Sequence, residues 1–183
     1  MKKFKTSTQT PTNPTDLAEA KILAVDPGFD RIGIAVLSKN GQKEKLFFSK
    51  CILTNKKESQ SRRLKQIGLE IKKIIKKYKP TQLAIEKLFF NQNTSTALRV
   101  AEARGVILYE SISAKLEIFE YSPQEIKIAV TGYGKAGKNE VETMTLRLLS
   151  MKTVPKYDDE VDACAIGITH LVSFKQKKRL STD

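Results

Sequence analysis

Apolar residues in the first part of the chain fall in short unbroken runs. "KILAVD" (21–26), "RIGIAVLSKNG" (31–41) and "EKLFFSKCIL" (44–53) each have the length of a buried strand, and Asn40-Gly41 is a hairpin signal between the last two. The three predict an antiparallel meander. From Ser59 to Tyr78 the period changes. Leu64, Ile67, Ile71, Ile74, Ile75 and Tyr78 recur at helical spacing, lysines fill the opposite face, and Pro80 lies just past the end. "TQLAIEKLFF" opens with a short buried strand ending at Glu86, and Thr94 to Ser113 predicts a helix. That helix carries Ala97, Ala101 and Gly105 four apart, a stripe that another backbone can approach closely. "LEIFEYS" is a fifth strand and "PQEIKIAV" a short helix with Pro123 near its start, where proline is tolerated. The loop "TGYGKAGK" follows, then a helix through Leu149 and a last helix from about Asp158 to Phe174.

Strand meander, helix, strand, helix, strand, helices: this order predicts an α/β fold, a five-stranded mixed sheet with helices on both faces. The helix after strand three returns the chain parallel to strand one, so strand four can lie beside strand one. With 183 residues the chain suits one domain. That domain is expected to span 21–174, after a flexible Thr-, Pro- and Lys-rich arm (1–20) and before a frayed basic tail (175–183).

Charge adds a partner class. There are 33 basic and 20 acidic residues, a net charge of +13, which favours an anionic ligand and nucleic acid first, although a lysine-rich composition alone raises the charge too. Cys51 and Cys164 lie far apart in apolar surroundings and read as core residues, not as a zinc site or a disulfide. No signal-peptide pattern opens the chain, and no run approaches the ~20 apolar residues of a membrane span. A cytoplasmic protein with no membrane partner is expected.

Asp26 ends an apolar strand, where an unpaired charge is costly, and the chain turns at once through Pro27 and Gly28. If strands one and four are parallel neighbours, Glu86 ends beside Asp26 with backbones about 5 Å apart. Two such carboxylates repel unless a proton or a metal lies between them, and hard oxygen donors suit Mg²⁺ or Mn²⁺. Asp159 and Asp162 are three apart and share a face at the start of the last helix. First-turn acids are favoured by the helix dipole in any case. Here, though, Ala163, Ala165 and Gly167 predict a helix packed closely on the sheet, aiming that turn at one place. Two strand-end carboxylates and a helix-borne pair can hold two metal ions about 3.5–4 Å apart for in-line displacement at phosphorus. The only histidine, His170, lies two helical turns past Asp162 and reads as a helix-end residue, not a catalytic base. Glycines 132, 134 and 137 let backbone amides approach a phosphate.

The blocks "VDPGFDRIGIAV", "LAIEKLFFNQNTSTALRVAEARGVIL", "EYSPQEIKIAVTGYGKAGKNEV" and "DDEVDACAIGITH" together resemble the four motif regions of the RuvC family of Holliday-junction resolvases, in the same order. The resemblance implies an RNase H-like fold, a homodimer, and Mg²⁺-dependent paired nicking of four-way DNA junctions, in a pathway that includes a branch-migration helicase complex. It implies Asp26, Glu86, Asp159 and Asp162 as metal-binding carboxylates. Asp158 also falls on the right helical face, but the family pattern D-x-x-D-A selects Asp159. Phe89 matches an aromatic that stacks on a base at the opened junction, with a core aromatic as the alternative for Phe89 and Phe90. Lys127 and Lys138 match phosphate-contacting residues. Lys135 and Gly137 depart from the usual Arg and acidic or hydroxyl residue, which bears on strand positioning and cleavage preference. An RNA-processing nuclease of the same fold is the nearest rival. A sugar kinase or actin-like ATPase needs further phosphate loops and a duplicated domain. A non-catalytic DNA-binding protein leaves four carboxylates facing an anion unexplained.

Overall fold

The computed structural model describes residues 20–40, 43–88 and 94–180. The arm through residue 19, the tip of the β-hairpin at Gly41 and the segment holding Phe89 and Phe90 lie outside the described residues. The elements run β1 (Ile22–Asp26), β2 (Arg31–Asn40), β3 (Lys43–Leu53), α1 (Gln60–Tyr78), β4 (Gln82–Glu86), α2 (Thr94–Ser113), β5 (Glu117–Tyr121), α3 (Pro123–Thr131), α4 (Lys138–Leu148) and α5 (Asp158–Leu180). The sheet order is β3-β2-β1-β4-β5. β1 is antiparallel to β2 and parallel to β4, and β4 is parallel to β5. The expected mixed sheet, with strand four beside strand one, is the one observed.

Alternation along the central strands divides the core in two. Leu23 and Val25 of β1 and Leu83 and Ile85 of β4 point to one face, where α1 and α2 supply Ile67, Ile71, Ala103 and Ile107. Ala24, Ala35 and Ala84 point to the other, under α5 with α3 and α4 beyond it. The small side chains on that second face let α5 approach closely. A Cβ at Gly33 of β2 would fall 1.7 Å from the Asp159 carbonyl oxygen, and one at Gly167 would fall 2.3 Å from Leu37 Cδ1. Cover from both the sheet and α3/α4 explains why residues 163–170 of α5 are buried without a break.

Two expectations change in detail, and the packed face of α2 is defined. α2 buries Ala103, Ile107 and Ser111, while a Cβ at Gly105 would meet nothing within 4 Å, so that end of the small stripe is open to approach. The α5 backbone continues past Phe174 to Leu180, so the lysine-rich start of the expected tail is helical, as good helix formers allow. His170 does not sit at a helix end but is buried in the core at 1 % exposure. The two cysteines are free and buried, as core residues should be.

Candidate active site

Asp26 and Glu86 each follow the last described rung of the parallel β1–β4 pair, Val25 opposite Ile85, and end their strands side by side. The turn after Asp26 requires glycine: a Cβ at Gly28 would lie 1.9 Å from the Arg31 carbonyl oxygen. It is held from outside by Arg63, a buried guanidinium stacked 3.9 Å from the Phe29 ring centroid. Arg63 Nη2 donates to Thr54 Oγ1 (2.7 Å) and pairs with Asp30, while Thr54 Oγ1 donates to the Phe29 carbonyl at 2.8 Å. The loop behind Asp26 is thereby fixed to α1 and to the end of β3.

α5 brings the second pair of carboxylates. Its first turn carries Asp158, Asp159 and Glu160, and Ser49 Oγ of β3 donates to Glu160 Oε1 at 2.6 Å. Asp26 is held well above the ordinary carboxylate range by burial first, then by the charges of Glu86, Asp162 and Asp159, with Lys138 opposing. Burial also raises Glu86, with Asp162 adding to it. Burial likewise leads the upward shifts of Asp159 and Asp162. Four carboxylates therefore form one electrostatic unit, each resisting ionisation. Among the described residues no three His, Cys, Asp or Glu side chains are gathered into a ready metal cage.

Asp158 behaves differently from Asp159. Its bond from Lys138 holds its carboxyl below the usual range, and it is the more exposed of the two. Asp159 Oδ2 is buried without a hydrogen-bond partner, although the Arg31 Nε lies 3.0 Å away as an ion pair. The contact satisfies charge but not the directional requirement of a hydrogen bond. Arg31 also reaches Asp158 at 3.3 Å. Lys138 bonds Asp158 and stands 3.5 Å from Asp162.

A cavity of about 240 Å³ opens beside the cluster, lined by Glu86 and Asp162, by Lys127 and Lys138, and by apolar residues including Ile126 and Val141. α3 is set there by a capping box. Ser122 Oγ accepts from the Glu125 N–H and Glu125 Oε2 accepts from the Ser122 N–H, with Pro123 opening the helix. Of the residues singled out from the sequence, Asp26, Glu86, Asp159 and Asp162 converge, and Lys127 and Lys138 line the same cavity as two of them. Lys135 is exposed on the neighbouring loop and does not line it, and Phe89 lies outside the described residues. Sequence reasoning missed Arg31 and Arg63. Arg31 stands inside the first motif block, five residues after Asp26, where a charge at the start of a buried strand was a usable signal. Arg63 had none, since its burial depends on Asp30 and Thr54 meeting it in space.

The donor set suits a divalent cation. It consists of oxygen alone, its mutual repulsion is relieved by positive charge, and a buried Asp159 oxygen lacks a hydrogen-bond donor.

Comparison with known proteins places the chain in a family. The family model described as "Crossover junction endodeoxyribonuclease RuvC" matches residues 22–170. A crossover junction endodeoxyribonuclease RuvC of Halothermothrix orenii is 44% identical over 161 residues, covering 88% of this chain and 98% of that one. The one from Pseudothermotoga lettingae is 41% identical over 160 residues, 87% of this chain and 99% of its own. Among solved structures, Thermus thermophilus RuvC in complex with Holliday junction substrate superposes with a TM-score of 0.82 at 27% identity, covering 87% of this chain and 97% of that one. The yeast mitochondrial Holliday junction resolvase Ydc2, at 12% identity and a TM-score of 0.65, shares the fold. With the family model covering all five strands and the start of α5, the chain belongs to the RuvC family of crossover junction endodeoxyribonucleases.

Proposed function

We propose that this protein is an endodeoxyribonuclease that resolves four-way (Holliday) DNA junctions by paired symmetric nicks, in DNA recombination and repair. The observation that carries the reading is the single electrostatic unit of Asp26, Glu86, Asp159 and Asp162 at the C-terminal ends of the inner strands β1 and β4, in a chain of this family. Incubation with Mg²⁺ and either a four-way junction or a matched linear duplex tests it. Symmetric nicks in the junction alone are expected, and equal cutting of the duplex, or of neither, would overturn it.

Asp26, Glu86, Asp159 and Asp162 would hold two Mg²⁺ ions, with Mn²⁺ able to substitute, supplying an activated water and stabilising the leaving oxygen. Lys127 and Lys138, beside Glu86 and Asp162 in the cavity, offer cations to the non-bridging phosphate oxygens. Lys138 also offsets the Asp162 charge, so the site is not left with bare repulsion. Lys135 meets the DNA backbone from the exposed loop, and Phe89 stacks on a base where the junction opens. A branch-migration helicase as partner and a cytoplasmic location follow from the family reading.

The raised carboxyls predict a pH dependence with a definite sign. Their folded-state pKa values exceed the unfolded ones, so ionisation costs stability above the folded values, and the cost is relieved as pH falls through them. Bound Mg²⁺ removes the same cost. The gain in melting temperature from saturating Mg²⁺ should therefore be larger at pH 8 than at pH 5.5 by about 3 °C or more, the shift that ~1 kcal/mol makes in a domain of this size. Equal gains at both pH values would contradict it.

A homodimer is part of the same reading. Leu98, Tyr109 and Ile112 are 64%, 69% and 62% exposed and fall with Gly105 on one face of α2, an apolar strip with room for close backbone approach. Sedimentation should give twice the chain mass, and Leu98→Glu should give the monomer. A wild-type monomer that still cuts junctions would count against it.

A further inference from the structure

Gln82, Tyr121 and His170 form a buried polar line on the α5 face of the sheet, 7%, 0% and 1% exposed. His170 Nε2 lies 3.0 Å from Gln82 Oε1, and Nδ1 lies 2.8 Å from the Tyr121 hydroxyl. The Gln82 oxygen can only accept, so Nε2 donates to it, while Nδ1 is paired with the Tyr121 hydroxyl. Phe119 and Phe174 stand 4.7 and 5.1 Å from the imidazole, centroid to centroid, and leave it little room to swing. None of the three polar residues lines the catalytic cavity.

What the line connects gives it a role. Gln82 opens β4, which ends at Glu86, and Tyr121 ends β5 directly opposite Glu86 in register. The Tyr121 carbonyl also accepts from the Lys87 N–H at 2.8 Å. His170 belongs to α5, about 12 Å along the axis from Asp162. Gly33 and Gly167 set how near α5 stands to the sheet. The contact they make is apolar and built largely of small side chains, Ala24, Ala35, Ala163 and Gly167, with Leu37 packed against Gly167. To that apolar contact the Tyr121–His170–Gln82 line adds directional hydrogen bonds, a bolt that ties α5 crosswise to β4 and β5.

We propose that Tyr121, acting through His170, is a positioning residue for the metal-binding carboxylates. It fixes the axial register of α5 against β4 and β5, and so the spacing of Asp162 and Asp159 from Glu86. The proposal rests on the metal-binding reading above. Mg²⁺ demands near-ideal geometry, so a small axial slip is enough to weaken its site.

Calorimetric titration of Mn²⁺ into the protein alone, without DNA, tests this. Tyr121→Phe keeps the ring and removes the hydroxyl. It should weaken Mn²⁺ binding about tenfold, as loss of a supporting shell does. Cleavage at limiting Mg²⁺ should fall in parallel and recover at saturating Mg²⁺, while metal-free junction binding stays at the wild-type level. Gln82→Leu breaks the other end of the bolt and should act in the same direction, and it carries the test if Tyr121→Phe does not fold. Ile74→Val, in the core on the opposite face, should lower the melting temperature without changing Mn²⁺ affinity. Wild-type Mn²⁺ affinity in the folded bolt variants, or equal weakening by Ile74→Val, would overturn the proposal. A wild-type protein that binds no Mn²⁺ would overturn the metal-binding reading and the proposal with it.

Discussion

Asp26→Asn is expected to lower junction cleavage about 10³-fold or more, a loss of ~4 kcal/mol in transition-state stabilisation. Junction binding should survive, because affinity for DNA is dominated by contacts to phosphate and the net charge of +13 is left intact or raised. The substitution has a second effect of opposite sign. Asp26 is half-buried and faces the like charges of Glu86, Asp162 and Asp159, and desolvation and those charges all disfavour its ionised form. A neutral isostere removes that repulsion, so the variant should melt higher than wild type in the presence of a chelator. Loss of activity with a gain in metal-free stability is a signature that a merely structural aspartate does not give. Near wild-type cutting in Mg²⁺, or a marked fall in metal-free melting temperature, would remove Asp26 from the site.

Much of the arrangement was legible in the sequence because the features that carry it are local. The runs ending in Asp26 and Glu86 have strand length and composition, and the period change at Ser59 announces the crossover helix that makes those strands parallel neighbours. Pro123 marks a helix start, which the Ser122–Glu125 capping box completes in the structure. Features made by distant partners were not legible. Arg63 is a surface-type residue on a lysine-rich helix until Phe29, Asp30 and Thr54 enclose it. His170 follows an apolar segment and reads as a helix end, because only the fold brings Gln82, 88 positions earlier, within hydrogen-bond reach. The preference for Asp159 over Asp158 came from the D-x-x-D-A pattern, but the surroundings of the two did not. Both are acidic first-turn residues, and the fold gives the more exposed Asp158 a bond from Lys138 while Asp159 keeps a buried Oδ2.

Gly33→Ala should be strongly damaging for the addition of one methyl. Gly33 pairs with Asp26 across β1–β2 and with Cys51 across β2–β3, so the sheet backbone there is held on both sides. Above it lies the first turn of α5. An added Cβ would fall 1.7 Å from the Asp159 carbonyl oxygen, 2.5 Å from its carbon and 3.2 Å from Ala163 Cβ. No flexible side chain is available to move aside, since the two nearest atoms are backbone. The helix must therefore rise by more than an ångström or tilt about its far contacts, and either carries Asp159 and Asp162 away from Asp26 and Glu86. Overpacking of this kind costs about 1–3 kcal/mol of stability. Cleavage should suffer more, falling about 10²-fold or beyond, because reacting groups tolerate misplacement of an ångström poorly. Ile71→Val provides the comparison: it removes a buried methyl from the opposite face at a cost of about 0.5–1.5 kcal/mol and should leave cleavage unchanged. Melting and single-turnover cleavage measured on both variants separate loss of stability from loss of geometry. Gly33→Ala that folds and cuts as wild type would mean that α5 does not depend on that contact to place its carboxylates.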